Sequence, residues 1–155
     1  LSVCLSQFES VSEFMTDQKI LLVTACALLD ADNRILLAQR PEGKAMAGLW
    51  EFPGGKVESG ETPEESLVRE LAEELGVTAT IPCLAPLTFA SHTYEKFHLL
   101  MPLYICRRYE APADLGTKTG NENQALKWVR AKDLRNYDMP AADIPLIPHL
   151  VDLLN

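Results

Sequence analysis

Within the stretch GGKVESGETPEESLVRELAEELGV, Gly54 to Val77, the run from Glu61 to Leu75 sets six carboxylates against one arginine: Glu61, Glu64, Glu65, Glu70, Glu73 and Glu74 beside Arg69. On a helix Glu70, Glu73 and Glu74 fall at i, i+3 and i+4, so their side chains converge on one side. Like charges at that spacing cost roughly 0.2–0.5 kcal/mol per pair. An acidic surface helix tolerates such a cost, but the segment just upstream suggests more. Gly54, Gly55 and Gly60 bracket a tight turn whose backbone can come close to a ligand. Several oxygens facing one point are what a hard divalent ion such as Mg²⁺ requires.

The elements that must position these groups follow from local pattern. Thr62 is an N-cap, Pro63 occupies the first helical position, and Glu65 closes a capping box. Gly76 supplies a left-handed stop, so the spacing predicts a helix over 63–75, with Leu67, Val68, Leu71 and Leu75 as its apolar stripe. Ile20 to Leu29 is a continuous apolar run suited to a buried strand. Asp30 to Arg34 is a turn, and Ile35 to Arg40 is expected as the hairpin partner of the first strand. Trp50 to Phe52 form a strand that Pro53 ends at the glycine turn. Downstream, Ala79 to Phe89 is strand-like with a break at Pro86, and Phe97 to Tyr109 is a central strand with an expected interruption near Pro102. Glu110 to Gly120 is a loop, Ala125 to Val129 a short strand, and Ala131 to Leu134 a helical turn. A final helix starts near Ile144, with Asp143 suited to cap it. Two helices with apolar stripes need opposite faces of a sheet, so the expected class is α/β, an α/β/α sandwich with a mixed central sheet.

Length, charge and cysteines bound the function. A chain of 155 residues forms one domain; residues 1–18 lack periodicity and are expected as a flexible extension, with 19–155 as the folded domain. A formal net charge of −8 speaks against gripping a nucleic-acid backbone. Cys4, Cys26, Cys83 and Cys106 lack metal-site spacing and suit a reducing compartment. No apolar run is long enough to span a membrane, and the start lacks the pattern of a secretory signal. A cytoplasmic enzyme fits, expected as a monomer without excluding a dimer.

The stretch from Gly55 to Val77 resembles the signature of the Nudix hydrolases: glycine, five residues, glutamate, seven residues, arginine–glutamate–aliphatic, one residue, two glutamates, one residue, glycine–aliphatic. Gly55, Glu61, Arg69, Glu70, Leu71, Glu73, Glu74, Gly76 and Val77 fill it without departure. The resemblance extends from about Lys19 to the C-terminus and is closest to the MutT-like branch, which hydrolyses oxidised purine nucleoside triphosphates. It implies a Nudix-type α/β/α sandwich and a pyrophosphohydrolase, with 8-oxo-dGTP as the expected substrate. Rival expectations are CTP, a methylated dCTP or a nucleoside diphosphate sugar as substrate, or a nucleotide-binding domain without catalysis.

The resemblance also implies roles. Glu70, Glu73 and Glu74, with the carbonyl of Gly54, hold Mg²⁺, or Mn²⁺ in its place. Glu122, in Gly120-Asn121-Glu122-Asn123-Gln124, reaches the metal site as ligand or general base. Gly55, Glu61, Arg69 and Gly76 support the site, Arg69 through a salt bridge that orients carboxylates. Arg40 contacts the nucleotide, and Phe52 lines the base pocket or fills the core. Asp143 stands where the best-known family members carry an asparagine that reads the purine edge. A carboxylate only accepts where an amide also donates, so recognition of the base and capping of the last helix both stay open for it. Tyr94 is expected as a surface loop aromatic, with stacking near the base as the alternative, and Trp50 and Trp128 as core or pocket wall.

Overall fold

The structure is a computed structural model that describes residues 18–117 and 119–155. The expected extension over residues 1–18, except Gln18, lies outside the described residues, as does Cys4. The elements in chain order are β1 (Ile20–Leu28), β2 (Ile35–Gln39), β3 (Trp50–Glu51), β4 (Gly54–Lys56), α1 (Pro63–Leu75), β5 (Leu84–Thr93), β6 (His98–Cys106), β7 (Leu126–Val129) and α2 (Ile147–Leu154). Short 3₁₀ turns precede β5, follow β7 and lead into α2.

β1 is the hub. It pairs antiparallel with β4 on one side and parallel with β6 on the other, giving a mixed sheet in the order β4-β1-β6-β5. Successive residues of β1 face opposite ways, as the pleat demands. Ala25 and Ala27 join a core with Ile147 and Leu150 of α2, while Cys26 and Leu28 join a second core with Leu67, Leu71 and Leu75 of α1. Both faces are therefore covered, which explains the unbroken apolar run. The α/β/α sandwich with a mixed sheet is as expected.

The expected hairpin of β1 with β2 is not formed. Both hydrogen-bonding edges of β1 are occupied by β4 and β6, so β2 enters a second sheet, β3-β2-β7, and is joined to the end of its predecessor by an isolated Leu29–Ile35 bridge. Gly54 and Gly55 are likewise not in a tight turn: they are strand residues, opposite Ala25 and Thr24. β6 is not interrupted at Pro102 either. Its register with β1 is the same on both sides of the proline, Leu22 opposite Leu100 and Ala25 opposite Leu103. Pro86 instead marks a bulge in the edge strand β5, where a missing N–H is tolerated.

Helix α1 starts and stops at the expected residues. The Thr62 side chain accepts from the Glu65 N–H, the Glu65 carboxylate accepts from the Thr62 N–H at 2.9 Å, and Gly76 closes the helix at φ 66°. Asp143 does not cap the last helix. Its backbone is already in the αR region and its side chain caps nothing, whereas a cap residue needs an extended backbone. α1 carries the acidic residues, so its start has a measurable consequence. Thr62→Ala, which removes one half of the capping box, should cost about 1 kcal/mol, a fall of about 2–4 °C in Tm. Thr62→Ser should restore most of it. Thermal melts of the two variants check this, and an alanine variant as stable as the wild type would show that the box contributes nothing.

Candidate functional site

Two glycines let β4 sit close to its neighbours, Gly54 to the backbone of β1 and Gly55 to a side chain of α1. A Cβ on Gly54 would overlap the carbonyl oxygen of Thr24, and one on Gly55 would overlap the carboxylate of Glu70. Two further bonds fix the helix to the strand. The buried Ser66 Oγ donates to the Lys56 carbonyl at 3.1 Å, and an Arg69 Nη donates to the same oxygen at 3.3 Å. Arg69 gathers the neighbouring carboxylates, donating to Glu61 at 2.7 and 2.9 Å, to Glu70 at 2.9 Å and to Glu73 at 3.3 Å. The Arg69 hydrogen bonds hold Glu61 well below the usual carboxylate range, at about 2. Glu61 also accepts from the Glu58 N–H at 2.9 Å, which ties the loop before α1 to the same arginine.

Glu70 and Glu74 are one turn apart and within hydrogen-bond reach of each other. Burial, and then the hydrogen bond and charge of Glu70, push the Glu74 carboxyl far above its ordinary range, with Glu122 and Glu51 adding to the effect. Two carboxylates in that relation need a shared proton or a cation. Glu73 differs: its side chain is 60% exposed and its partner is Arg69.

Glu122 reaches the same place from a distant loop because Asn121 docks on the end of α1. The Asn121 N–H donates to the Glu74 carbonyl at 2.8 Å and its side-chain amide to the Glu73 carbonyl at 3.1 Å. The buried Gln124 accepts from the Glu122 N–H at 3.0 Å and so holds the loop's shape. The outcome is a polar cleft of about 110 Å³ lined by Glu74, Glu122, Glu51, Gly54, Arg40 and Lys44, among others.

A second cavity, of about 400 Å³, opens beside the first and shares Arg40, Glu51 and Gly54 with it. Its walls are mainly apolar, including Phe52, Phe97, Leu99 and Met101. Tyr94 is on this wall, its hydroxyl accepting from the Ala142 N–H at 3.3 Å, which is the alternative of the two expectations for this loop aromatic. Asp143 lines this cavity and is only 5% exposed. Burial, and secondarily the charge of Glu51, push its carboxyl up to about 7, against the hydrogen bond it accepts from the Phe52 N–H. Between the cavities, one Arg40 Nη donates to both oxygens of Glu51 at 3.1 and 3.2 Å, and Arg40 Nε donates to the Ala45 carbonyl at 2.7 Å.

The structure thus brings Gly54, Glu70, Glu74 and Glu122 together, sets Gly55, Glu61 and Arg69 behind them, and places Arg40, Phe52 and Asp143 around the adjoining cavity. Gly76 is the helix stop. Trp50 packs edge-on against Tyr137 and Trp128 donates to the Leu115 carbonyl; neither lines the two cavities. Sequence reasoning passed over Glu51, Asn121 and Lys44. Glu51 had a signal, a charged residue on a short strand directly before Phe52, whereas Asn121 and Lys44 become visible only when distant segments meet.

The carboxylates gathered around Glu74, those of Glu70, Glu122 and Glu51, offer the oxygen donors that a hard divalent cation takes. Among the described residues no three His, Cys, Asp or Glu side chains stand as a closed metal cage.

The model of the NUDIX domain matches residues 24–149. This chain belongs to the Nudix family. It is similar to the CTP pyrophosphohydrolase of Escherichia coli, 40% identical over 82% of this chain and 89% of that protein. An 8-oxo-dGTP diphosphatase of Haemophilus influenzae is 36% identical over 88% of this chain and 95% of its own length. Among solved structures, a MutT from a study of the Aliivibrio salmonicida and Vibrio cholerae proteins superposes with a TM-score of 0.70 at 31% identity, covering 87% of this chain and 99% of that one. The Nudix membership and these relatives make the chain a hydrolase of nucleotide phosphoanhydride bonds. No helix among the described residues is long and apolar enough to cross a membrane.

The buried Asp143 gives this Nudix domain a pH signature. Its folded pKa, about 7, lies above the ordinary value of 3.8, so between those values the folded chain keeps a proton that the unfolded chain has lost. Stability from this group is intact below the unfolded pKa and is lost as pH rises through the folded one. Asp143→Asn has no proton to lose there. Its stability relative to wild type should improve by on the order of 2–3 kcal/mol between pH 5 and pH 8. Urea unfolding of both proteins at the two pH values measures it; an equal gap at both would mean that Asp143 titrates as an exposed carboxyl does.

Proposed function

We propose that the protein is a metal-dependent nucleoside triphosphate pyrophosphohydrolase whose preferred substrate is 8-oxo-dGTP, and that it protects DNA by cleansing the nucleotide pool. The observation that supports this most is the pair of adjoining cavities. One is acidic and polar, the other is apolar with a single buried carboxyl, and Arg40, Glu51 and Gly54 stand between them. A volume of about 400 Å³ suits a nucleobase held by apolar walls.

Gly54, Glu70, Glu74 and Glu122 would hold the cation, Mg²⁺ or Mn²⁺, with Glu73 at the exposed margin. The cation supplies charge neutralisation, polarisation of a phosphoryl oxygen and a lowered pKa for water. Arg69 and Glu61 keep Glu70 in place, and Gly55 leaves room for its carboxylate. Glu74 or Glu122 takes the proton of the attacking water. The water oxygen bonds to phosphorus, a phosphoanhydride P–O bond breaks, and nucleoside monophosphate and pyrophosphate leave. Arg40 sits where base cavity and phosphate cleft meet and orients the nucleotide between them. All these residues come from one chain, so a monomer suffices.

Asp143 carries the choice of base. Guanine offers two acceptors, N7 and O6, on its major-groove edge, whereas 8-oxoguanine carries a hydrogen on N7. A carboxyl that keeps its proton near neutrality can donate to O6 and accept from N7–H, matching the oxidised base and leaving guanine one bond short. A second reading, CTP as substrate, is favoured by the relative named a CTP pyrophosphohydrolase.

Steady-state kinetics on 8-oxo-dGTP, dGTP and CTP, following pyrophosphate release, separate the two readings. The expected order has 8-oxo-dGTP first, and a higher kcat/KM for CTP would replace the proposal by the second reading. Asp143→Asn should change the 8-oxo-dGTP to dGTP ratio by roughly 5- to 150-fold, the equivalent of about 1–3 kcal/mol for one buried hydrogen bond. Glu74→Gln should lower kcat by about 10² or more with the fold intact by circular dichroism. Chelation should abolish activity and Mg²⁺ or Mn²⁺ restore it; full turnover in chelator would sink the metal role.

A further inference from the structure

Lys44 belongs to the loop between β2 and β3, and its ammonium lies 3.6 Å from an Oε of Glu122. It lines the acidic cleft together with Glu74, Glu51 and Arg40, and its charge also acts on Glu51. Its backbone is not free to wander. The next residue, Ala45, has its carbonyl held by Arg40 Nε, and Arg40 is held in turn by Glu51. The loop is also tied at its far end, where the Gly48 N–H donates to the Arg40 carbonyl at 2.9 Å and the Gln39 side chain donates to the Gly48 carbonyl at 3.0 Å. The stem of Lys44 is thus rooted at the rim of the cleft while its long side chain, about half exposed, can swing.

Resting on the reading of Glu122 as part of the cation site, we propose that Lys44 is a substrate-binding residue. It occupies Glu122 when no cation is bound and transfers to the terminal phosphates of a nucleoside triphosphate when one is. A divalent ion and an ammonium compete for the same carboxylate oxygens and repel each other. With Glu122 committed to the ion, the ammonium must find another anion within reach of its fixed root. The phosphate chain, brought into this cleft by the ion, is that anion. A lysine serves a phosphate as a mobile point charge, whereas Arg40 is anchored by Glu51 and Ala45 at the boundary of the base cavity. Lys44 would therefore favour a triphosphate, which extends past Arg40, over shorter nucleotides.

The test uses Lys44→Met and Lys44→Arg, with Lys132→Met as a control for the loss of one exposed charge outside both cavities. Calorimetric titration with Mn²⁺ in the absence of nucleotide should show Lys44→Met binding the ion roughly two- to fivefold more tightly than wild type, the worth of an exposed ion pair. Its KM for the triphosphate should rise about tenfold at saturating Mn²⁺, with kcat within about twofold. Lys44→Arg should hold KM near the wild-type value, and Lys132→Met should match wild type in both measurements. Mn²⁺ affinity or KM of Lys44→Met equal to that of Lys132→Met overturns the proposal. The underlying cation reading fails separately, if Glu74→Gln and Glu122→Gln bind Mn²⁺ as wild type does.

Discussion

Two carboxylates on one helical turn, Glu70 and Glu74, are pressed toward β4 with no side chain between, because Gly55 has none. The surrounding structure is arranged to hold that unfavourable pairing in place. Gly54 lets β4 lie flat on β1, Ser66 and Arg69 bond to the Lys56 carbonyl, and two apolar stripes bury the helix and the strand that support them. Arg69 satisfies Glu61, Glu70 and Glu73, but it does not relieve Glu74, which burial and its acidic neighbours leave strongly inclined to keep a proton. A buried group that resists ionisation beside a second carboxylate is a site in want of positive charge. Divalent ions and the ammonium of Lys44 are two ways of supplying it.

Electrostatic coupling then runs from this pair across the molecule. Glu51 lies within range of Glu74, Glu122 and Asp143, and its own carboxyl is raised by burial, with Arg40 acting the other way. The Arg40–Glu51 pair therefore separates an acidic cleft from an apolar cavity while keeping the two in one field. A nucleotide has the same division, a phosphate chain at one end and a flat apolar base at the other. Much of the negative charge of the chain is gathered between Glu61 and Leu75, and an acidic protein can accept an anionic substrate when a cation stands between them.

Much of this was legible from the residues in order. The limits of α1, its capping box and its stop depend on neighbours within four residues, so pattern alone located them. The same holds for Glu70 and Glu74 sharing a face, and for Arg69 as a clamp. Family membership was legible because the motif is long and position-specific, and the comparisons agree. The alternation of β1 between two cores follows from the pleat once its run is known to be buried on both faces.

Other features depend on which distant segments meet. β2 follows β1 by a short turn and so looks like its hairpin partner, yet β4 and β6 already fill both edges of β1, a fact no local pattern carries. Asp143 has the composition of a cap; its αR backbone and its burial against the Phe52 N–H make it a cavity carboxyl instead. Tyr94, Glu51, Asn121 and Lys44 acquired their places through contacts with residues far along the chain. The residue types and their local spacing determined the helix, its acidic face and the chemistry open to it. Tertiary structure decided sheet pairing, burial and the shape of the base cavity, because those depend on long-range pairing and desolvation.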